Sequence, residues 1–164
     1  MMESNLHKKV WWDFLEEDLR ELLNESMKLL GAAEGWTETF HDYSFVVFPA
    51  AKAYEGYLKK VFLQRGFITS EDYYGKHFRI GKALNPALDR KTYGPNVYDK
   101  VVDYCGSKKL ADRMWDTWKD CRNILFHWFP NEQNAISIEE ARGRVQKIVD
   151  TMDETFGVCI AGVS

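Results

Sequence analysis

The chain has 164 residues, a net charge of −3, and 45% hydrophobic and 15% aromatic residues, six of them tryptophans. That is enough apolar material for one domain with a real core, and the acidic balance argues against a generic nucleic-acid binder. No apolar run approaches the roughly 20 residues that span a bilayer, and no apolar signal region precedes the first acidic cluster, so a cytoplasmic protein that makes no membrane contact is expected.

Cys105, Cys121 and Cys159 are far apart and form no CxxC pair. This fits a reducing compartment better than a disulfide framework or a zinc site. The charge is uneven: residues 1–44 carry −6, residues 45–91 carry +5, and residues 92–164 carry −2. A basic middle in an acidic chain is either scatter among solvated helix faces or a local phosphate-binding surface.

In residues 5–31, Val10, Trp11, Phe14, Leu15, Leu19, Leu22, Leu23, Met27 and Leu30 follow the helical period, with Glu16, Glu17, Asp18 and Glu21 opposite. One long helix is expected there, stopped by Gly31. Gly35 to Ser44 reads as a polar loop, and the pair His41-Asp42 within it reads as loop chemistry. Phe45 to Phe48 suits a short strand, or the approach to a helix whose first turn holds Pro49. That helix runs to about Arg65 and ends at Gly66. Glu55 lies at the edge of its apolar face. It either pairs with Lys59 at i, i+4, worth about 0.3 kcal/mol, or meets a distant arginine.

Thr69 to Asp72 starts a helix of about Glu71 to Leu84. Within it GKHFRIGKA falls short of a phosphate-binding P-loop, because its glycines are one residue too far apart and Ala83 replaces the Ser or Thr. It reads as a basic helix segment. Residues 89–96 form a turn-rich linker, Val97 to Cys105 a short helix, and Lys108 to Trp128 a long one ended before Pro130. Asp112, Asp116 and Asp120 recur on its polar face and read as a solvated row, so no metal site is expected. Ser137-Ile138-Glu139-Glu140 is a capping box opening a last helix of about Ile138 to Phe156. The tail, residues 157–164, is expected to be loosely held. The sum is an all-α, up-and-down bundle of five to six helices without significant sheet, forming a single domain over residues 1–164.

The chemistry concentrates in Arg122-Asn123-Ile124-Leu125-Phe126-His127. Met114, Trp118, Cys121, Leu125 and Trp128 make a core stripe, which turns Arg122, Asn123, Phe126 and His127 towards something else. On an ideal helix Arg122 and His127 are about 140° apart. An imidazole can take a proton from a 2′-hydroxyl or give one to a leaving 5′-oxygen, and a guanidinium fits phosphate oxygens and a developing pentavalent charge. Asn123 can orient the imidazole or bond a phosphate oxygen. The spacing alone is a weak motif.

RNILFH near the end of a long helix in an all-helical chain resembles the R-x4–6-H signature of the HEPN superfamily. The run Phe48 to Phe67, FPAAKAYEGYLKKVFLQRGF, followed by Ile80 to Leu84, IGKAL, resembles more closely the HEPN domain of RNase LS-type toxins of bacterial toxin–antitoxin systems. The similarity spans about Phe45 to Phe156.

This resemblance implies a metal-independent endoribonuclease needing no cofactor, which leaves a 2′,3′-cyclic phosphate. It implies a homodimer through the face carrying Arg122 to Trp128, and a protein antitoxin as partner. By position it implies that Arg122 and His127 are catalytic, with Asn123 and Glu55 as companions. The candidate RNA-backbone contacts are Lys52, Lys59, Lys76, Arg79 and Lys82 of the basic middle, with Lys119 on the motif helix. The alternatives are a non-catalytic RNA- or nucleotide-binding module and an interaction protein that docks a partner on its aromatic surface.

Overall fold

The computed structural model describes residues 3–162, and among them every regular element is helical. Two 3-10 segments, Glu3–Lys8 and Trp12–Phe14, precede eight α-helices. These are α1 (Glu17–Glu34), α2 (Ser44–Gln64), α3 (Ser70–Tyr74), α4 (Ile80–Ala83), α5 (Arg90–Tyr93), α6 (Val97–Cys105), α7 (Lys109–Trp118) and α8 (Ile138–Cys159). Five are long and three are single turns, so the expected all-α bundle is what forms. Among the described residues no helix is long and apolar enough to cross a membrane.

The core is built around α2, which packs on α1 and α8. Ala50, Ala53, Tyr54, Tyr57, Leu58, Val61 and Phe62 of α2 are fully buried. Two tyrosine hydroxyls bury with partners: Tyr54 donates to the Met114 carbonyl at 3.1 Å, and Tyr57 to that of Met152 at 2.9 Å. These bonds tie α2 to α7 and α8 and satisfy groups that would otherwise cost about 1–3 kcal/mol each. Gly56 lets α1 come close, because a Cβ there would lie 2.6 Å from Leu19 Cδ2.

Several expected boundaries move, each for a local reason. The first helix does not begin at residue 5. The chain is extended at Leu15 (ψ 145°), and α1 starts only at Glu17. The earlier turns fold against α8 instead, where the Trp11 indole N–H donates to Asp153 Oδ1 at 2.5 Å and Lys9 Nζ bonds Oδ2 at 2.6 Å. Gly31 does not stop α1, which runs on to Glu34.

Residues 45–48 are not a strand, and Pro49 is not in a first turn. The Asp42 carboxylate accepts both the backbone N–H (3.0 Å) and the hydroxyl (2.7 Å) of Ser44, starting α2 five residues earlier. Beside Pro49 the buried Ser26 hydroxyl donates to the Val46 carbonyl and accepts the Ala50 N–H, both at 2.8 Å. An α-helix joins that pair directly, so Ser26 supports the ladder where the proline weakens it.

Glu71 to Leu84 is not one helix either. A Thr69–Asp72 capping box opens α3, but the backbone is extended at Gly75 and Arg79, and residues 75–79 form a loop. The break swings Ile80 and Leu84 into the core. Val97–Cys105 forms as expected, and the Ser137 capping box opens α8 with its Glu140 partner. However, α8 runs on to Cys159, which is fully buried, so residues 157–159 are not a loose tail. Val163 and Ser164, the last residues of that expected tail, lie outside the described residues.

Candidate functional site

Met114, Trp118, Cys121 and Leu125 are buried as their spacing requires, but Trp128 is 74% exposed. The cause is a change of helix type. After α7 the backbone forms a π turn, Lys119–Asn123, with the Ile124 N–H reaching the Lys119 carbonyl at 2.9 Å. Looser turns follow, and the helix is spent before Trp128. A π turn in a helix often marks a functional position, and the ideal-helix angle between Arg122 and His127 no longer applies. Burial pushes the Cys121 thiol up to about 12, so it stays protonated and serves as packing.

Arg122 is held from two sides. Its Nε lies 3.3 Å from Glu55 Oε2 of α2, and its guanidinium stacks 4.9 Å from the Trp118 ring centroid. The ion pair of Glu55 is thus with the motif arginine, 67 positions away in sequence, and not with its helical neighbour Lys59. Trp118 is wedged in turn by α4: a Cβ on Gly81 would come 2.9 Å from the indole Nε1. The side chains of Arg122 and Glu55 are 38% and 29% exposed, so the pair stays open to solvent.

His127 and Asn123 are exposed. His127 lines a cavity of about 380 Å³ together with His41, Asp42, Ser44, Phe48, Phe126 and Trp128. Arg122 and Asn123 do not line it. The cavity has firm walls. Asn134 Nδ2 donates to the carbonyls of Ile124 (3.1 Å), Leu125 (3.3 Å) and His127, capping the end of the motif segment. Phe48 and Phe126 meet edge to face at 5.2 Å. By sequence His41 reads with Asp42 as loop chemistry, because nothing in the loop's pattern reveals that His41 shares a pocket with His127.

The basic residues divide between two places. Lys52 sits 6.0 Å from the Phe48 ring, near the His127 cavity. Arg79 and Lys82 line a second groove of about 360 Å³ with His77, Phe78, Tyr93 and Lys100. Lys59 lies over Phe78 (5.8 Å), and Lys82 over Tyr93 (3.9 Å). Lys76 is exposed in the same loop, which is not the basic helix that GKHFRIGKA suggested. Lys119 pairs with Asp116 at 3.5 Å instead of reaching either groove.

The carboxylate row of the motif helix is divided among separate partners. Asp112 accepts the Tyr98 hydroxyl at 2.7 Å, Asp116 faces Lys119, and Asp120 bonds Lys147 at 2.6 Å. Among the described residues no group of three or more His, Cys, Asp or Glu side chains could hold a metal ion. Comparison with family models, curated proteins and solved structures finds no match for this chain, so its resemblance to HEPN domains rests on the quoted residues alone.

Proposed function

We propose that the protein is a metal-independent endoribonuclease of HEPN type, acting as the toxin of a toxin–antitoxin or defence system. The observation that supports this reading best is the clamp on Arg122. An arginine fixed by Glu55 through Nε keeps its Nη groups for a phosphate, and stacking on Trp118 holds the fork in one plane. His127 supplies proton transfer from the cavity it lines, and the exposed Asn123 is the polar companion of Arg122 in the motif. Glu55 acts through Arg122 and is a positioning residue.

Because Arg122 does not line the cavity that His127 lines, the reading calls for a homodimer in which each pocket combines groups from both copies. Ile124 within the motif, and Trp128 and Phe129 just after it, are exposed apolar side chains, the kind of surface a second subunit covers. RNA reaches the site along the groove bearing Lys59, Arg79 and Lys82. A protein antitoxin would block this approach.

The test is cleavage of RNA by the purified chain in EDTA. The expected result is scission to 2′,3′-cyclic phosphate ends, abolished in Arg122→Ala and His127→Ala, with growth arrest on expression of wild type only. Unchanged cleavage in both variants would eliminate the assignment. The second reading is a non-catalytic docking module, favoured by the exposed aromatic cluster of Trp36 and Phe40, in the loop before α2, with Phe45 in the first turn of α2. It predicts partner or RNA binding without turnover.

A further inference from the structure

Strand scission by the 2′-hydroxyl requires two proton movements. One proton leaves the 2′-oxygen as the new 2′-O–P bond forms, and another reaches the 5′-oxygen as the P–O5′ bond breaks. A single imidazole in a given protonation state performs only one of these in the same step.

The cavity beside the motif is lined by two histidines from segments distant in sequence, His127 after the π turn and His41 from the loop before α2. Among the described residues, the other titratable side chain lining it is Asp42. Its oxygens are engaged: Oδ1 accepts the N–H groups of Ser44 (3.0 Å) and Ile136 (3.2 Å), and Oδ2 accepts the Ser44 hydroxyl (2.7 Å). Asp42 therefore builds the pocket and leaves the proton chemistry to the histidines.

Resting on the ribonuclease reading above, we infer that His41 is the second proton-transfer residue of the reaction, paired with His127 across this cavity.

The loop carrying His41 is fixed in register with the segment that fixes His127. The Tyr43 N–H donates to the Ile136 carbonyl at 3.0 Å, and Asp42 takes the Ile136 N–H. Two residues earlier, Asn134 caps the carbonyls around His127. Residues 134–136 thus anchor the backbone beside both histidines at once, which is the fixed placement that proton transfer at a single phosphodiester demands. At about 380 Å³ the cavity lies in the size range of small-ligand sites, and Phe48, Phe126 and Trp128 offer ring faces for a base beside the scissile linkage.

The neutral imidazole accepts the 2′-hydroxyl proton while the protonated one delivers its proton to O5′. The products are a 2′,3′-cyclic phosphate and a 5′-hydroxyl, and the histidines end with exchanged protonation states that water resets.

The experiment uses the full chain and a short RNA whose cut site with wild type is mapped. A second copy of that RNA carries sulfur in place of the bridging 5′-oxygen. Sulfur departs as a thiolate and needs no proton, so losing the general acid no longer matters. His41→Ala and His41→Gln are each expected to slow cleavage of the ordinary linkage by about 10²-fold or more, with an unchanged melting temperature. The sulfur linkage should restore near-wild-type cleavage to variants of one histidine and not to those of the other.

Cleavage by the His41 variants within threefold of wild type would overturn the inference, as would rescue of both histidines or of neither. If His127→Ala is inactive while His41→Ala is normal, only this inference falls. If His127→Ala and Arg122→Ala both cleave like wild type, the ribonuclease reading falls with it.

Discussion

Glu55→Gln separates holding the arginine from holding the fold. The change keeps the shape of the side chain and removes the charge that faces Arg122 Nε at 3.3 Å. Both partners are about a third exposed, so solvent screening limits the pair to roughly 1 kcal/mol of stability. For a chain of this size that is a fall in melting temperature of about 2–4 °C. The catalytic consequence should be far larger. With the carboxylate gone, only the Trp118 ring holds the guanidinium, and displacement of about 1 Å at a transition-state contact costs on the order of 10²-fold in rate. Single-turnover cleavage in EDTA, read beside thermal melts, tests this. In an Arg122→Ala background Glu55→Gln should cost nothing more, because its effect passes through the arginine. Wild-type cleavage by Glu55→Gln, or a further loss on top of Arg122→Ala, would refute the clamp.

Asn134→Ala should destabilise the protein by about 1–2 kcal/mol, since it uncaps the carbonyls of Ile124, Leu125 and His127; denaturant titration reads the loss, and cleavage should fall because His127 moves. Replacing Arg79 and Lys82 together by alanine should weaken binding of an RNA oligomer without sequence preference and lower the slope of log K against log salt by about 2; an unchanged slope would remove that groove from the RNA path. Arg90 hydrogen-bonds the Asp99 carboxylate and holds its pKa below the usual value, so the folded state binds that proton less readily than the unfolded chain. Its stabilisation is complete above the unfolded carboxylate value near 4 and disappears as pH falls through the lowered folded value. Asp99→Asn should therefore cost more in a melt at pH 7 than in one at pH 3.

The parts of the fold legible in the sequence were those decided within a few residues of themselves. The Ser137 capping box, the short helix from Val97 and the stripe Met114, Trp118, Cys121 and Leu125 all depend on neighbours one or two turns away. The misplaced boundaries depend on partners far along the chain. Trp11 leaves a helical register because Asp153 waits for its indole N–H. Pro49 sits inside α2 because a serine on α1 reaches the carbonyl and N–H beside it. No periodicity reports such partners, since each is one polar side chain on another element.

The same distinction runs through the site. Arg122 and His127 stand out because their side chains carry chemistry and lie close in sequence. By pattern Glu55 was visible as a carboxylate at the edge of an apolar face, and the choice between Lys59 and a remote arginine turned on how α2 meets the motif helix. The π turn was hidden altogether, because WDTWKDCRNILFHW reads as a regular amphipathic helix through Trp128. What ends that helix is tertiary: Leu125 stays in the core, Asn134 takes the freed carbonyls, and Trp128 turns outward. Trp128 reads as core from its spacing yet stands 74% exposed just after the motif, and it is the side chain that the proposed second subunit would cover.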